Sequence, residues 1–95
     1  MLYLHQAFPQ FDKELWKALT AIQGCSNLQG CQCPVSNAGL THSLIISCSG
    51  AKGALTIVNI PTNDLTKPNI QTAQKVAQQM ADWCAKGTPN ATVPL

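Results

Sequence analysis

The stretch "THSLIISCSGAKGALTIVNIP", residues 41–61, decides the fold that the sequence predicts. Leu, Ile, Val and Thr dominate its two halves, 41–48 and 53–61, and this composition is typical of β-strands. The residues "SGAK" between the halves are turn formers, so the halves are predicted to form two neighbouring strands. Because side chains alternate along a strand, one face of the first carries Leu44, Ile46 and Cys48.

A predicted helix flanks this strand pair on each side. In "PQFDKELWKALTAIQG", residues 9–24, apolar residues recur at steps of three and four, with Pro9 in the first turn and Gly24 as terminator. The second helix, 65–87, ends at Gly87 and is predicted from a longer apolar stripe. That stripe consists of Ile70, Ala73, Val76, Ala77, Met80, Trp83 and Cys84.

Two weaker strands and one loop complete the predicted order of elements. Residues 2–8 alternate weakly as a strand, the tail 90–95 adds a final strand, and 25–40 is a Cys-rich loop full of turn formers. The order βαββαβ over 1–95 predicts a single small α+β domain. Its expected architecture is a ferredoxin-like two-layer sandwich, with two helices packed on one face of an antiparallel sheet.

The composition excludes several classes of function. Hydrophobic residues make up 45% of the chain, enough for a core, whereas charged residues make up only 11%. All six basic residues are scattered lysines and none is arginine, so we expect no nucleic-acid partner. Lys52 and several Gly and Ser interrupt the apolar stretch 43–60, so no transmembrane segment is expected. The start "MLYLHQAF" does not resemble a signal peptide, so a secreted protein would already have lost its signal.

The five cysteines divide between the two ends of the predicted fold. Cys48 ends a strand and Cys84 lies in the last helical turn at the same end, so a Cys48–Cys84 disulfide is reasonable if the Cα atoms approach within ~7 Å. At the other end, Cys25 is expected to pair with either Cys31 or Cys33, because a Cys31–Cys33 ring would be strained. One cysteine is then left over, either as a thiol or bonded to another chain.

The remaining chemical alternatives are less well supported by spacing. The pattern C-x5-C-x-C is not a zinc spacing, although His5 or His42 would complete four ligands, and no CxxC dithiol is present. Two histidines approaching one another across a sheet would make a small enzyme, a third hypothesis. We predict no metal, no cofactor and no catalytic residue.

Partner contacts are predicted on the outer side of the sheet. Tyr3, Ile45, Leu55 and Ile57 fall opposite the inward residues, and an apolar outer face marks a partner protein, a cell-surface target or a second copy of the chain. A shift of one residue in register would reverse this assignment. Separately, Asn90-Ala91-Thr92 matches an N-glycosylation acceptor.

The segments "CQCPVSNAGLTHSLIISC" (31–48) and "QQMADWC" (78–84) resemble virus-encoded fungal killer-toxin subunits and the small secreted fungal effectors that share their α/β-sandwich fold. The resemblance implies a secreted, disulfide-linked toxin or effector without enzymatic activity. It also implies that the CxC pair lies on the first strand and that 37–48 is helical, in contrast to the strand predicted above. The disulfide candidates that it implies are Cys31, Cys33, Cys48 and Cys84.

Low charge, clustered cysteines and the lack of a catalytic pattern lead to one main hypothesis. The chain is a small secreted protein, stabilised by disulfides, that acts by binding as an effector or toxin and is not an enzyme. The alternative is an intracellular ferredoxin-like interaction module, dimeric through its outer sheet face, whose cysteines are reduced or metal-bound.

Overall fold

The computed structural model describes residues 2–22, 28 and 30–95, which form four helices and one mixed sheet of five strands. The helices are α1 (Leu4–Ala7), α2 (Pro9–Thr20), α3 (Thr62–Thr66) and α4 (Ile70–Ala85). The strands are β1 (Cys31–Gln32), β2 (Val35–Ala38), β3 (Thr41–Cys48), β4 (Leu55–Pro61) and β5 (Ala91–Pro94). The predicted α+β class is confirmed, and so are the strand at 41–48 and the strand in the tail.

Strand β3 organises the sheet. On one side it pairs antiparallel with β1 and β2 in one uninterrupted register, and on the other side it pairs antiparallel with β4. The short connection from β2 to β3 begins at Gly39, whose φ of +71° suits a two-residue hairpin loop. Strand β5 lies at the far edge and runs parallel to β4.

The predicted loop at 25–40 is wrong for residues 31–38, which form the edge pair β1 and β2. The strand signal is weak there because the edge pair has one solvent-facing side and contains or adjoins three turn formers, namely Pro34, Asn37 and Gly39. Pro34 separates β1 from β2, since a proline has no N–H to donate to the ladder.

The predicted strand at 2–8 is also wrong, because residues Leu4–Ala7 form the single turn α1. A local contact that alternation cannot reveal closes this turn: the Tyr3 N–H donates to the side-chain oxygen of Gln6 (3.0 Å). Residues 2–4 cover the edge of the sheet where Pro34 interrupts the strand pair. Leu4 N–H donates to the Cys33 carbonyl (2.7 Å), and Val35 N–H donates to the Leu2 carbonyl (3.0 Å).

The ferredoxin-like arrangement is not confirmed. Two helices precede the first strand of the described chain, and the sheet is mixed and not antiparallel. Because residues 4–7 are helical, the strand that was predicted at 2–8 cannot take a place in the middle of the sheet. The crossover through α3 and α4 then returns the chain alongside β4 in the parallel direction, as a strand–helix–strand unit does.

Both long helices keep their predicted inner faces but change their ends. Helix α2 buries Phe11, Leu15 and Leu19 and ends at Thr20, earlier than the predicted Gly24. The predicted helix 65–87 divides into α3 and α4, because the Asn69 side chain caps a new start by accepting the N–H of Gln71 (2.9 Å). As a result Ile70 is 60% exposed and does not belong to the stripe, whereas Trp83 is buried as expected.

A single core fills the space between the helices and the inner side of the sheet. Alternate residues of β3 are buried, so one side of the sheet is covered by helices and the other faces solvent. The largest fully buried side chains come from both layers. They are Leu4, Phe11, Leu15, Leu44, Ile46, Leu55, Ile57, Ile60, Val76 and Met80.

Candidate functional site

A disulfide joins Cys31 and Cys48, which lie directly opposite one another in the β1–β3 ladder. The expected Cys48–Cys84 bridge is therefore wrong, and so is a Cys25–Cys31 bridge, because each sulfur forms one such bond. The alternative Cys25–Cys33 bridge is wrong as well, because Cys33 is a free thiol. The physical reason is the edge strand, which carries Cys31 to the end of the fold where β3 finishes. Cys84 is disulfide-bonded as well, whereas Cys25 lies outside the described residues.

Cys48 and Cys84 do lie at the same end of the molecule, as predicted. Both line one cavity of about 200 Å³, together with Lys52 and Thr88. Thr88 has a φ of +59°, a conformation that β-branched residues rarely adopt, and its hydroxyl accepts the Lys52 N–H (2.9 Å). Its carbonyl accepts the N–H of Gly53 (2.8 Å), so the chain leaving α4 is fixed against the β3–β4 connection.

The remaining thiol of the CxC pair is Cys33, which is free and only 6% exposed. Burial, and to a smaller extent the negative charge of Asp12, raises the pKa of the Cys33 thiol from its ordinary 9.0 to about 12. The thiol is therefore protonated at neutral pH. Because the thiolate is the species that attacks disulfides and binds metals, Cys33 is inert in the folded chain.

His42 is a buried histidine whose proton position follows from its neighbours. The Thr62 hydroxyl donates its only proton to the Leu40 carbonyl (2.9 Å), so at 3.0 Å it accepts a proton from Nδ1 of His42. The ring also meets the Phe8 ring edge-on, with centroids 5.3 Å apart. The other ring nitrogen, Nε2, has no hydrogen-bond partner in the described part of the chain. No buried side-chain nitrogen there lacks a partner, so Nε2 reaches solvent.

The two histidines lie in different surroundings and do not form a pair. His5 is exposed in α1 and stacks on the ring of Tyr3, with centroids 5.9 Å apart, whereas His42 is buried on the helix side of β3. Within residues 2–22, 28 and 30–95, no three His, Cys, Asp or Glu side chains converge as a metal ion would require.

The side of the sheet away from the helices, here called the outer face, only partly matches the predicted contact residues. Tyr3 and Ile45 lie on it and are half-buried, as predicted. Leu55 and Ile57 are 1% and 0% exposed, so their assignment to this face is wrong. The outer face carries Tyr3, Gln32, Pro34, Ser36, Ala38, Thr41, Ser43, Ile45, Ser47, Thr56, Val58, Pro61, Thr92 and Pro94.

The buried residues of β4 depart from strict alternation because the strand contains a β-bulge. Val58 and Asn59 together lie opposite Ser43, and Asn59 takes a φ of +63°. The sequence contains a usable signal for it: the buried residues Ile57 and Ile60 are three apart, and Asn is a residue that tolerates positive φ. Reading that spacing as a bulge makes Leu55 and Ile57 inward residues and leaves Thr56 and Val58 on the outer face.

The outer face carries no Asp, Glu, Lys or Arg side chain. One row crosses the sheet from the Tyr3–Pro34 bridge over β3 and β4 to β5, about 19 Å wide at the usual strand spacing; it consists of Tyr3, Pro34, Ile45, Thr56 and Thr92. All ten charged residues lie on the helices or on connections, and none lies on a strand. Six serine and threonine side chains share this face with the apolar members of the row, and two of them, Thr56 and Thr92, belong to the row itself.

Comparison with known proteins gives no match: no family model fits the chain, and no curated protein and no solved structure is significantly similar to it. No helix in the described ranges has the length and apolar content needed to cross a membrane. Fold and site together define a small disulfide-bonded α+β protein with one buried free thiol and an uncharged outer face.

Proposed function

We propose that this chain is a small extracellular protein, stabilised by disulfides, that acts by binding through its outer face, as an effector or toxin does, and not by catalysis. The observation that carries the proposal is the segregation of charge. Every charged side chain is confined to helices and connections, and the outer face is left neutral. Depletion of charge with an aromatic residue present is the composition found in the cores of protein interfaces.

The Cys31–Cys48 disulfide supports the extracellular part of the proposal. Disulfides persist in oxidising compartments and are rare in the cytosol. A chain of 95 residues buries a modest core, so a covalent link between edge strand and central strand adds stability where reducing agents are absent.

The state of the reactive side chains supports binding over catalysis. Cys33 is protonated and buried, so it is a poor nucleophile. His42 holds Thr62 in a structural hydrogen bond, and His5 stacks on Tyr3, so neither activates the other. Hydroxyl groups on a neutral face form hydrogen bonds with a partner without requiring the burial of a charge.

Alkylation of the protein in its natural source tests the compartment. Free thiols are trapped before cell disruption, and extracellular and cellular fractions are then compared by peptide mass spectrometry. We expect the chain in the extracellular fraction, with Cys31 linked to Cys48 and Cys33 alkylated only after denaturation. Recovery from the cell interior alone, with Cys31 and Cys48 alkylated as thiols, would favour the intracellular dimeric module and end this proposal.

A charge placed in the centre of the outer face tests the binding surface. Ile45→Lys puts an ammonium group in the middle of the neutral row, while its aliphatic stem still covers the sheet. We expect saturable binding of labelled protein to extracellular material or cell surfaces of its source to fall at least tenfold, about 1.4 kcal/mol.

The matched control for this variant is Ala85→Lys. Ala85 is exposed at the end of α4, where a positive charge is favourable. Binding of Ala85→Lys should equal that of the wild type, and sedimentation of both variants shows whether the partner is a second copy of the chain. Equal binding of Ile45→Lys and wild type would exclude the outer face as the contact surface.

A further inference from the structure

We infer that Asn90 is the acceptor of an N-linked glycan at the edge of the sheet, an inference that rests on passage of the chain through a secretory pathway. Asn90-Ala91-Thr92 has the required Asn-x-Thr pattern, with Ala in the middle position. Asn90 and Thr92 are exposed in the folded chain. They flank the start of β5, which is an edge strand of the sheet.

The orientation of the Asn90 amide follows from its one hydrogen bond. Its Oδ1 accepts the N–H of Ala54 (2.9 Å), and only the oxygen of an amide accepts a proton, so oxygen and nitrogen are assigned by chemistry. The Nδ2 atom is then on the other side of the planar group. It makes no hydrogen bond to any described residue, so the nitrogen that a glycan modifies is available.

Two explanations of Asn90 predict different things about Thr92. If Asn90 were present only to accept the N–H of Ala54, the identity of residue 92 would be irrelevant. Thr92 is exposed in β5, and its hydroxyl bonds no residue that the structure describes. No hydrogen bond within the described part of the chain uses that hydroxyl, whereas the acceptor pattern requires it.

The modification is a transfer from a lipid-linked oligosaccharide diphosphate. The Asn90 Nδ2 atom forms a bond to the anomeric carbon of the first sugar, and the bond between that carbon and the diphosphate oxygen breaks. The lipid diphosphate leaves with the electron pair, and one Nδ2 proton passes to the medium. The Oδ1 atom keeps its lone pairs, so its hydrogen bond to Ala54 survives the reaction.

A glycan at this position has two structural consequences. It stands beside the edge of β5, a short strand that ends at Pro94, and it blocks pairing with the strand of another molecule. It also lies at one end of the row on the outer face. Tyr3 lies at the other end, about 19 Å away at the usual strand spacing, so a partner is directed towards the Tyr3 end.

The test uses the full chain behind a cleavable signal peptide in a eukaryotic secretory host. Intact mass is measured before and after treatment with a peptide-N-glycosidase, which converts a glycosylated Asn90 into Asp. We expect wild type and Thr92→Ser to carry one glycan. We expect Thr92→Val, which keeps the β-branched shape and the Asn90–Ala54 hydrogen bond, to carry none.

The outcomes separate this inference from the proposed function. Transfer occurs as the chain enters the pathway, so chains retained in the host are analysed in the same way as secreted ones. A translocated wild-type chain without a glycan, or a Thr92→Val chain that keeps one, overturns the inference and leaves the binding proposal standing. Recovery of the natural protein with reduced thiols from the cell interior overturns the proposed function even when the host modifies Asn90.

Discussion

Removal of the Cys31–Cys48 disulfide gives the sharpest measure of what stabilises this fold. The variant replaces both cysteines by alanine, and the comparison is made in a Cys33→Ala background so that no free thiol can exchange. Reduction of the wild type is not equivalent, because Cys84 is also disulfide-bonded. The bond links the edge strand β1 to β3, and its removal leaves the hydrogen-bonded ladder between them in place.

The expected loss follows from the length of chain that the bond closes. The two cysteines are 17 residues apart, and the loop-closure entropy of such a segment corresponds to about 3 kcal/mol at 25 °C. For a chain of 95 residues, the unfolding entropy is roughly 0.2 kcal/mol/K, so the midpoint of thermal unfolding falls by about 15 °C. The cost arises in the unfolded state, so the folded structure should change little.

Urea unfolding followed by circular dichroism measures this loss. We expect a lower free energy of unfolding and a steeper dependence on urea, because the unfolded chain exposes more surface without the link. Native far-UV and near-UV spectra should match those of the Cys33→Ala background. A loss below about 1 kcal/mol, or native spectra that differ, would refute the account in which the bond acts by restricting the unfolded chain.

Three further predictions concern other parts of the structure. The raised pKa of Cys33 means that the folded state holds the thiol proton more tightly than the unfolded state does. The stability that this contributes is therefore fully present below pH 9 and is lost as pH rises towards about 12. The free energy of unfolding in urea should fall with pH across this range in the wild type, and this contribution should be absent in Cys33→Ala. Thr62→Val leaves the Nδ1–H of His42 without an acceptor and should cost about 1–3 kcal/mol, while ¹⁵N spectra of the wild type should report the proton on Nδ1. Gly53→Ala places a Cβ 2.5 Å from the backbone nitrogen of residue 90 and should lower stability by about 1–3 kcal/mol, whereas Gly50→Ala, whose Cβ meets nothing within 4 Å, should not.

Segments with a strong local period were predictable from the sequence. The alternation at 41–48 gives β3 with its observed ends, and the three- and four-residue spacing gives the buried faces of α2 and α4. Each of these signals comes from burial on one side of a regular element. The α+β class depends on these segments alone, so it could be predicted.

The remaining features depend on contacts between distant parts of the chain. The edge pair β1 and β2 has no apolar alternation, because one side faces solvent and Pro34 interrupts it, so only pairing with β3 defines it as strand. The disulfide was assigned wrongly for the same reason. Cys31 in a loop is far from Cys48, whereas Cys31 in an edge strand lies directly opposite.

The β-bulge in β4 affects which of its residues are assigned to the outer face, and therefore which residues are expected to contact a partner. Strict alternation along β4 offers two equivalent assignments, and one residue of shift exchanges Leu55 and Ile57 for Thr56 and Val58. The assignment based on apolar residues predicted a hydrophobic contact surface. The surface that the fold provides is neutral and rich in hydroxyl groups, so a partner of the kind proposed above would meet hydrogen-bonding groups and no charge.

The CxC motif places a disulfide and a free thiol next to each other, and the fold must prevent their exchange. Cys31 and Cys33 are two residues apart along the β3 register, so both lie on the inner side of the sheet. Exchange requires a thiolate, and burial keeps the pKa of Cys33 near 12, so the attacking species is scarce at neutral pH. Helix α1 contributes directly, because the N–H of its first residue, Leu4, bonds the Cys33 carbonyl and holds the chain over this position. The N-terminal segment therefore preserves the covalent structure of the sheet as well as covering its edge.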